Sequence, residues 1–248
     1  MTPESLLQLF SEAAAAAGIA VGTLTGSARR HRTDRPGQYA LDLVADRAVL
    51  DVLHGVDVGV VSEESGRSGH KGAAISVVVD PVDGSTNCAR DVPYWGISLC
   101  ALDSHGALCS LVLNQATGTE TTAIRGRGTW RNGNQVQASG VRDLTKAVVS
   151  VSGMPRERLS WAQFRALGST ALALCDVAAG HLDAYMDGGV WDAPWDYLGG
   201  VLACEEAGAV VVDAADRPLA VGDPDARRQV LAAATPELLA AIRPAVQP

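Results

Sequence analysis

One run of residues constrains this chain more than any other: Val77-Val78-Val79-Asp80-Pro81-Val82-Asp83-Gly84-Ser85-Thr86-Asn87. The β-branched residues read as a buried strand that ends on two carboxylates three positions apart. The strand holds Asp80 rigidly at its carboxyl end, Pro81 stiffens the turn, and Asp83 is thereby brought round to the same point. Carboxylates aimed at one spot repel unless a cation lies between them, and hard oxygen ligands suit Mg²⁺. The backbone N–H groups after Gly84, where a helix can open, form an anion site. The same residues also read more simply, as an Asx-rich turn in which Asp83-Gly84 only reverses the chain.

Two other segments bear on that choice. Val58–Val61 leads into Ser62-Glu63-Glu64-Ser65-Gly66, a second strand ending in acids. Trp191-Asp192-Ala193-Pro194-Trp195-Asp196-Tyr197 puts Asp196 in the first turn of an amphipathic helix, where an acid also favours the helix dipole. Together Glu63, Asp80, Asp83 and Asp196 make the ligand set of a two-metal phosphatase.

Composition removes other classes. At 248 residues, 47% hydrophobic and 19% charged, the chain can bury a large core and is not a disordered tail. The longest uninterrupted apolar stretch, near Ala13–Val21, is shorter than the ~20 residues of a membrane span, so no membrane partner is expected. A net charge of −8 disfavours a nucleic-acid partner. The five cysteines, Cys88, Cys100, Cys109, Cys175 and Cys204, include no CxxC and read as small buried hydrophobes in a reducing compartment. With no basic region before the apolar N-terminus, a cytoplasmic location is expected.

The pattern predicts an α/β chain. A helix starts at Thr2-Pro3 and stops at Gly18, a polar loop spans Thr25–Gly37, and a second helix spans Leu41–His54. Strands are expected at Val56–Val61, Ile75–Val79, Gly96–Leu102, Ala107–Asn114 and Glu120–Arg125, with a tight hairpin at Asn132-Gly133. The second half alternates: strand Ala147–Val151, helix Trp161–Ala178, strand Leu182–Met186, helix Trp195–Ala207 and strand Ala209–Val212. The expectation is an α+β half at residues 1–143 and a layered α/β half at 144–248, packed as one continuous body.

Taken in order, these motifs resemble the inositol monophosphatase family of Mg²⁺-dependent, lithium-sensitive sugar phosphatases. The resemblance rests on Asp80-Pro81-Val82-Asp83-Gly84-Ser85-Thr86-Asn87 with Pro93 and Gly96-Ile97-Ser98-Leu99, and on Trp195-Asp196-Tyr197 through Glu206-Ala207-Gly208-Ala209. Glu63-Glu64, Leu167-Gly168-Ser169 through Cys175-Asp176-Val177-Ala178, and Asp183-Ala184-Tyr185 complete it. It implies an α-β-α-β-α layered sandwich and hydrolysis of a small phosphorylated substrate by a metal-activated water. It further implies one Mg²⁺ on Glu63, Asp80 and the Val82 carbonyl, and a second on Asp80, Asp83 and Asp196. Ser85 and its acidic partner Asp46 would orient the water, with Glu63 also catalytic. Gly84, Ser85 and Thr86 would offer N–H groups to the phosphate. Asp187 falls near the acid that meets a substrate hydroxyl, although its spacing to Asp196 is longer than the family's. A homodimer is expected, chiefly from the resemblance.

The departures are specific. Where the family carries Asp-x-x-Thr before the acid matched by Asp46, this chain has Ala40 and Leu43, which leaves a third cation without its usual residues. Instead Arg29-Arg30-His31-Arg32 and Arg35 form a basic cluster in that loop, either reaching over the site or serving as a solvated surface. Trp95, Trp191 and Trp195 read as packing or as a substrate rim, and Asp192 as a loop acid or cap. Substrates consistent with the motifs are polyol or sugar phosphates, with histidinol phosphate and 3′-phosphonucleotides as alternatives. The remaining alternative is a catalytically silent metal- or phosphate-binding protein on the same fold.

Overall fold

The computed structural model describes residues 1–157 and 159–246. Helix α1 (Pro3–Gly22) is capped by the Thr2 side chain and pairs with α2 (Ala40–Leu53). The chain then forms β1 (Gly59–Ser62), β2 (Gly66–Gly69), β3 (Ser76–Asp83), the short α3 (Ser85–Ala89) and β4 (Gly96–Asp103). A meander follows through β5 (Gly106–Asn114), β6 (Thr119–Ile124), β7 (Gly128–Arg131) and β8 (Asn134–Val136). These strands make one sheet in the order β2-β1-β3-β4-β5-β6-β7-β8. Asn132 and Gly133, both at positive φ, close the β7–β8 hairpin, as their pairing in the sequence implies.

The chain passes to a second sheet between Val136 and Val148. It is built from β9 (Val148–Ser152), β10 (Gln163–Arg165), β11 (Ala184–Asp187), β12 (Val210–Asp213) and β13 (Val230–Ala233), in the order β10-β9-β11-β13-β12. Helices α4 (Thr170–Ala178) and α5 (Pro194–Glu206) pack on both sheets, while α6 (Pro236–Ile242) covers the far face of the second. The layers thus run helix, sheet, helix, sheet, helix. Three apolar cores fill the gaps: Phe10, Leu41 and Leu99 under α1 and α2, Leu174, Tyr197 and Leu198 between the sheets, and Leu231, Leu238 and Ile242 under α6. All five cysteines are buried free thiols.

Four expectations need correction. Helix α1 continues past Gly18 to Gly22, because Val21 adds another buried residue to its apolar stripe. At 20 residues and a mean hydropathy of 1.4, α1 is long and apolar enough to cross a membrane by length and composition, but Leu6, Phe10, Ala13 and Ala17 are buried in the core instead. The expected helix from Trp161 begins only at Thr170, where the Ser169 hydroxyl accepts the Leu172 N–H, and Gln163–Arg165 instead pairs with the edge of β9. Strand β13 and helix α6 were not anticipated. β13 lies inside its sheet, between β11 and β12, where burial on both faces removes the alternation that reveals a strand.

Helix α5 approaches α4 across Gly200, where a Cβ atom would lie 2.4 Å from the Leu174 Cβ. Gly200→Ala therefore sets overpacking, about 1–3 kcal/mol, against a helix-propensity gain of about 1 kcal/mol. The net cost is up to about 2 kcal/mol, and a melting temperature lowered by up to about 8 °C is expected in a thermal scan; a higher value would mean that the helices need no such close approach.

Candidate metal centre

Strand register builds the first half of the site. β1 runs parallel to β3 with Ser62 opposite Val79, and the Glu63 N–H donates to the Val79 carbonyl at 3.2 Å, so Glu63 stands beside Asp80. On the other side, Asp80 pairs with Ser98 and Asp83 with Gly96, which leaves one extra residue in β3. Pro81 sits in this bulge, where its missing N–H removes nothing from the ladder. In a regular strand Asp80 and Asp83 would point to opposite faces; the extra residue turns both to one side. Gly84 then adopts φ 90°, a left-handed conformation that glycine takes without strain, and opens α3.

Helix starts supply the second half. Asp83 Oδ2 accepts from the Ser169 Oγ at 2.6 Å and from the Ala171 N–H at 2.7 Å, which ties the beginning of α4 to the end of β3. Asp196, in the first turn of α5, accepts the Ala193 N–H at 2.6 Å. From α2, Asp42 Oδ2 accepts the Tyr39 N–H at 2.7 Å. The positive ends of these helices partly offset the gathered negative charge. The result is a cleft of about 200 Å³ lined by Asp42, Glu63, Glu64, Asp80, Asp83 and Asp196.

The electrostatics follow from burial and crowding. Burial, and then the charges of Glu63, Asp83 and Asp196, push Asp80 well above the carboxylate range. Burial, and then Glu64, raise Glu63 to about 7, while burial takes Asp42 to about 7. Asp83 rises only to about 6, because the donors of α4 oppose its burial. Asp196 is raised well above its usual value by burial and then by Glu63 and Asp83. Among the described residues no three acidic, histidine or cysteine side chains close on a single point at ligating geometry; Asp80, Asp83 and Asp196 are turned toward neighbouring donors. The donor set nevertheless fits a hard divalent cation. It consists of buried oxygens whose mutual repulsion no basic side chain lining the cleft relieves except Arg35, and Asp42 Oδ1 is buried without a partner.

The expected residues divide into two groups. Glu63, Asp80, Val82, Asp83, Gly84, Ser85 and Asp196 all line the cleft. Asp46 lies behind its wall, accepting from the Ser62 Oγ at 2.5 Å, and that oxygen in turn accepts the Glu64 N–H at 3.3 Å. The Thr86 hydroxyl is 3.4 Å from the Tyr39 hydroxyl. Asp187, expected beside a substrate hydroxyl, is fully buried and accepts the N–H groups of Gly189, Val190 and Trp191. Its carboxylate shapes its own loop because three donors lie within reach of it.

A neighbouring pocket of about 340 Å³ shares Asp83 and Asp196 with the cleft, and the further acid lining it is Asp192. The Asp192 carboxylate takes hydrogen bonds from Tyr185 Oη at 3.0 Å and Thr170 Oγ1 at 3.2 Å. Sequence reasoning missed both Asp42 and Asp192. An acid four residues before Asp46, on a helix face otherwise apolar, was the available signal for the first, and the repeated Trp-Asp pair for the second.

The basic loop separates in the same way. Arg29 pairs with Asp91 and lies over the Trp95 ring, Arg30 donates to the Ala89 carbonyl, and Arg32 donates to the Tyr39 hydroxyl. Arg35 alone of the four lines the cleft, pairing with Glu64 at 3.3 Å. Trp95 and Trp195 are core residues, whereas Trp191 is 46% exposed.

Comparison with known proteins gives this geometry a context. The model of the inositol monophosphatase family matches residues 6–247. A fructose-1,6-bisphosphatase/inositol-1-monophosphatase of Archaeoglobus fulgidus is 34% identical over 180 residues, covering 70% of this chain and 69% of the relative. A Pasteurella multocida protein named Nus factor SuhB is 32% identical over 190 residues, 70% of each chain. Among solved structures, a Pyrococcus horikoshii protein described as similar to inositol-1 monophosphatase superposes with a TM-score of 0.89 at 24% identity, covering 100% of both chains, which shows the shared fold. The chain belongs to the inositol monophosphatase family.

Proposed function

We propose that the protein is a Mg²⁺-dependent phosphomonoesterase acting on a small, hydroxyl-rich monophosphate. One observation carries this reading: acids from four separate segments face a single cleft, and that cleft shares Asp83 and Asp196 with a pocket lined by hydroxyls. Ser150, Ser152, Thr170 and Tyr185 offer hydrogen bonds to a polyol, and none of the residues lining the pocket is Lys, Arg or His. A second phosphate group would meet Asp192 there without a compensating cation, so a monophosphate suits the pocket better than a bisphosphate. The buried Asp192 carboxylate supports a second reading, a leaving group that carries an amine, as in histidinol phosphate.

In this proposal Glu63, Asp80 and the Val82 carbonyl hold one cation, and Asp80, Asp83 and Asp196 hold another. When bound, such cations lower the pKa of water toward neutrality and neutralise phosphoryl oxygens. Glu63 and Ser85 orient the attacking water from the wall of the cleft. Asp46 acts from behind as a positioning residue, holding Ser62 and through it the Glu64 backbone. The N–H groups of Gly84, Ser85 and Thr86 face the phosphate at the start of α3. A homodimer in the cytoplasm is the expected setting.

Three outcomes follow. In a phosphate-release screen with Mg²⁺, inositol monophosphates or related polyol phosphates should exceed fructose bisphosphate and 3′-phosphoadenosine phosphate by at least tenfold in kcat/KM, about 1.4 kcal/mol. Equal rates would overturn the substrate class, and no release from any ester, histidinol phosphate included, would leave a silent binding protein.

Asp196→Asn preserves an oxygen for the Ala193 N–H, so the fold should persist while kcat/KM drops at least tenfold. Near-native turnover at saturating Mg²⁺ would remove Asp196 from the site.

The pH dependence has a definite sign. Glu63 and Asp83 bind protons more tightly when folded, at about 7 and about 6, than at their ordinary values of 4.5 and 3.8. Their contribution to metal-free stability is full below about pH 4 and is lost as pH rises through 6 and 7. Melting curves in chelator should therefore fall between pH 5 and pH 8, and millimolar Mg²⁺ should flatten that fall by binding the ionised folded state. Curves that Mg²⁺ leaves unmoved would contradict a cation site.

A further inference from the structure

Asp192 is a buried carboxylate that the proposed metal chemistry does not use. It is 4% exposed, yet it lines the pocket beside the acidic cleft. Its Oδ1 accepts from Thr170 Oγ1 at 3.2 Å and its Oδ2 from Tyr185 Oη at 3.0 Å. Those two hydroxyls lie 2.9 Å from each other, so the carboxylate is held in a closed ring of hydrogen bonds. Each of its oxygens is used once in that ring, which leaves lone pairs free for a ligand.

The loop that carries Asp192 fixes it in place. The Asp187 carboxylate accepts the N–H groups of Gly189, Val190 and Trp191, and the Gln229 side chain donates to the Asp187 carbonyl at 3.0 Å. Trp191 adopts φ 67°, a left-handed conformation that is strained for a bulky residue. The Arg228 N–H then donates to the Asp192 carbonyl at 2.9 Å. The spacing from Asp187 to Asp196 is longer than the family's, and Asp192 lies in the lengthened stretch.

Charge decides what such a pocket takes. Among the described residues no Lys, Arg or His lines it, and its other acids, Asp83 and Asp196, are assigned to cations. Burial, and then Asp196 and Asp187, push Asp192 well above the carboxylate range, so either a proton or a cation must relieve it. A buried carboxylate held by neutral hydroxyls gains most from a ligand that brings the positive charge itself, because hydrogen bonds between ionised groups are roughly twice as strong as neutral ones.

We propose that Asp192 is the specificity-determining residue of this pocket and that it selects the monophosphate of a small amino alcohol, with the ammonium on Asp192 and the remaining hydroxyls toward Ser150 and Ser152. The inference rests on the phosphatase reading above and narrows its substrate to one class.

The test uses ester pairs that differ only by an ammonium in place of a hydroxyl, assayed with Mg²⁺. One pair is serinol phosphate against glycerol 1-phosphate, and the other is glucosamine 6-phosphate against glucose 6-phosphate. The wild type should favour the ammonium member of at least one pair tenfold or more in kcat/KM, and Asp192→Asn should bring that ratio to within twofold. Asparagine keeps one oxygen for the hydroxyl ring, and any general loss of fold or turnover falls on both members alike, so the ratio reads charge recognition alone. A smaller preference in the wild type, or one for the hydroxyl member, overturns the inference, puts a proton on Asp192 and leaves the phosphatase reading standing. A preference that stays above twofold in Asp192→Asn seats the ammonium on another group and overturns it equally. Phosphate release from none of these esters, nor from inositol monophosphates, overturns the phosphatase reading and this inference together.

Discussion

Mutual repulsion among buried carboxylates is the constraint around which this structure is arranged. Asp80, Asp83, Glu63 and Asp196 are each held above their usual range by burial, and neighbouring carboxylates add to this, Glu64 first for Glu63, and Glu63 first for both Asp80 and Asp196. A cluster of that kind is tolerated only where other structure holds it open and offers compensating positive charge. The fold does so with backbone. The N-termini of α4 and α5 deliver N–H groups to Asp83 and Asp196, and the Val82 N–H meets Asp80. Stability and binding capacity therefore oppose each other, because whatever crowds the acids makes the bare protein less stable and the cation more welcome.

The strand bulge at Pro81 turns this arrangement into a usable site. It places two acids of one short segment on the same side of a central strand, between a parallel neighbour that carries Glu63 and an antiparallel neighbour that begins at Gly96. Asp83 then acts twice, as a wall of the cleft and as the acceptor for the start of α4. The close approach of α4 and α5 at Gly200 carries Asp196 toward the same point. Because the central helices touch both sheets, the seam between the sheets and the acidic cleft depend on the same packing.

Much of this was legible in the chain. The run Val77–Val79 announced a buried strand, and Asp80 and Asp83 announced paired carboxylates. Asn132-Gly133 marked its hairpin, and Trp195–Ala207 marked a helix with Asp196 in its first turn. Elements whose signal depends on neighbours were not legible. Gln163–Arg165 is exposed at every position and is a strand only because β9 offers it an edge. Val230–Ala233 is buried throughout, so its alternation is invisible. Asp187 and Asp192 look interchangeable as acids of one segment, yet three backbone donors occupy the first, while the second lines the pocket beside the cleft.

The amino-acid sequence by itself determined which chemical groups are present, and through local spacing it set the strand that ends in acids, the turn at Gly84 and the helix that begins near Asp196. Those features depend on contacts a few residues apart, which motif and periodicity record directly. Tertiary structure decided the rest: that Glu63 stands beside Asp80, that Asp46 bonds to Ser62, that only Arg35 of the basic loop reaches the cleft, and that Asp42 Oδ1 is left without a partner. Each of these depends on strand register or helix packing between residues distant in the chain, and neither leaves a trace in local spacing.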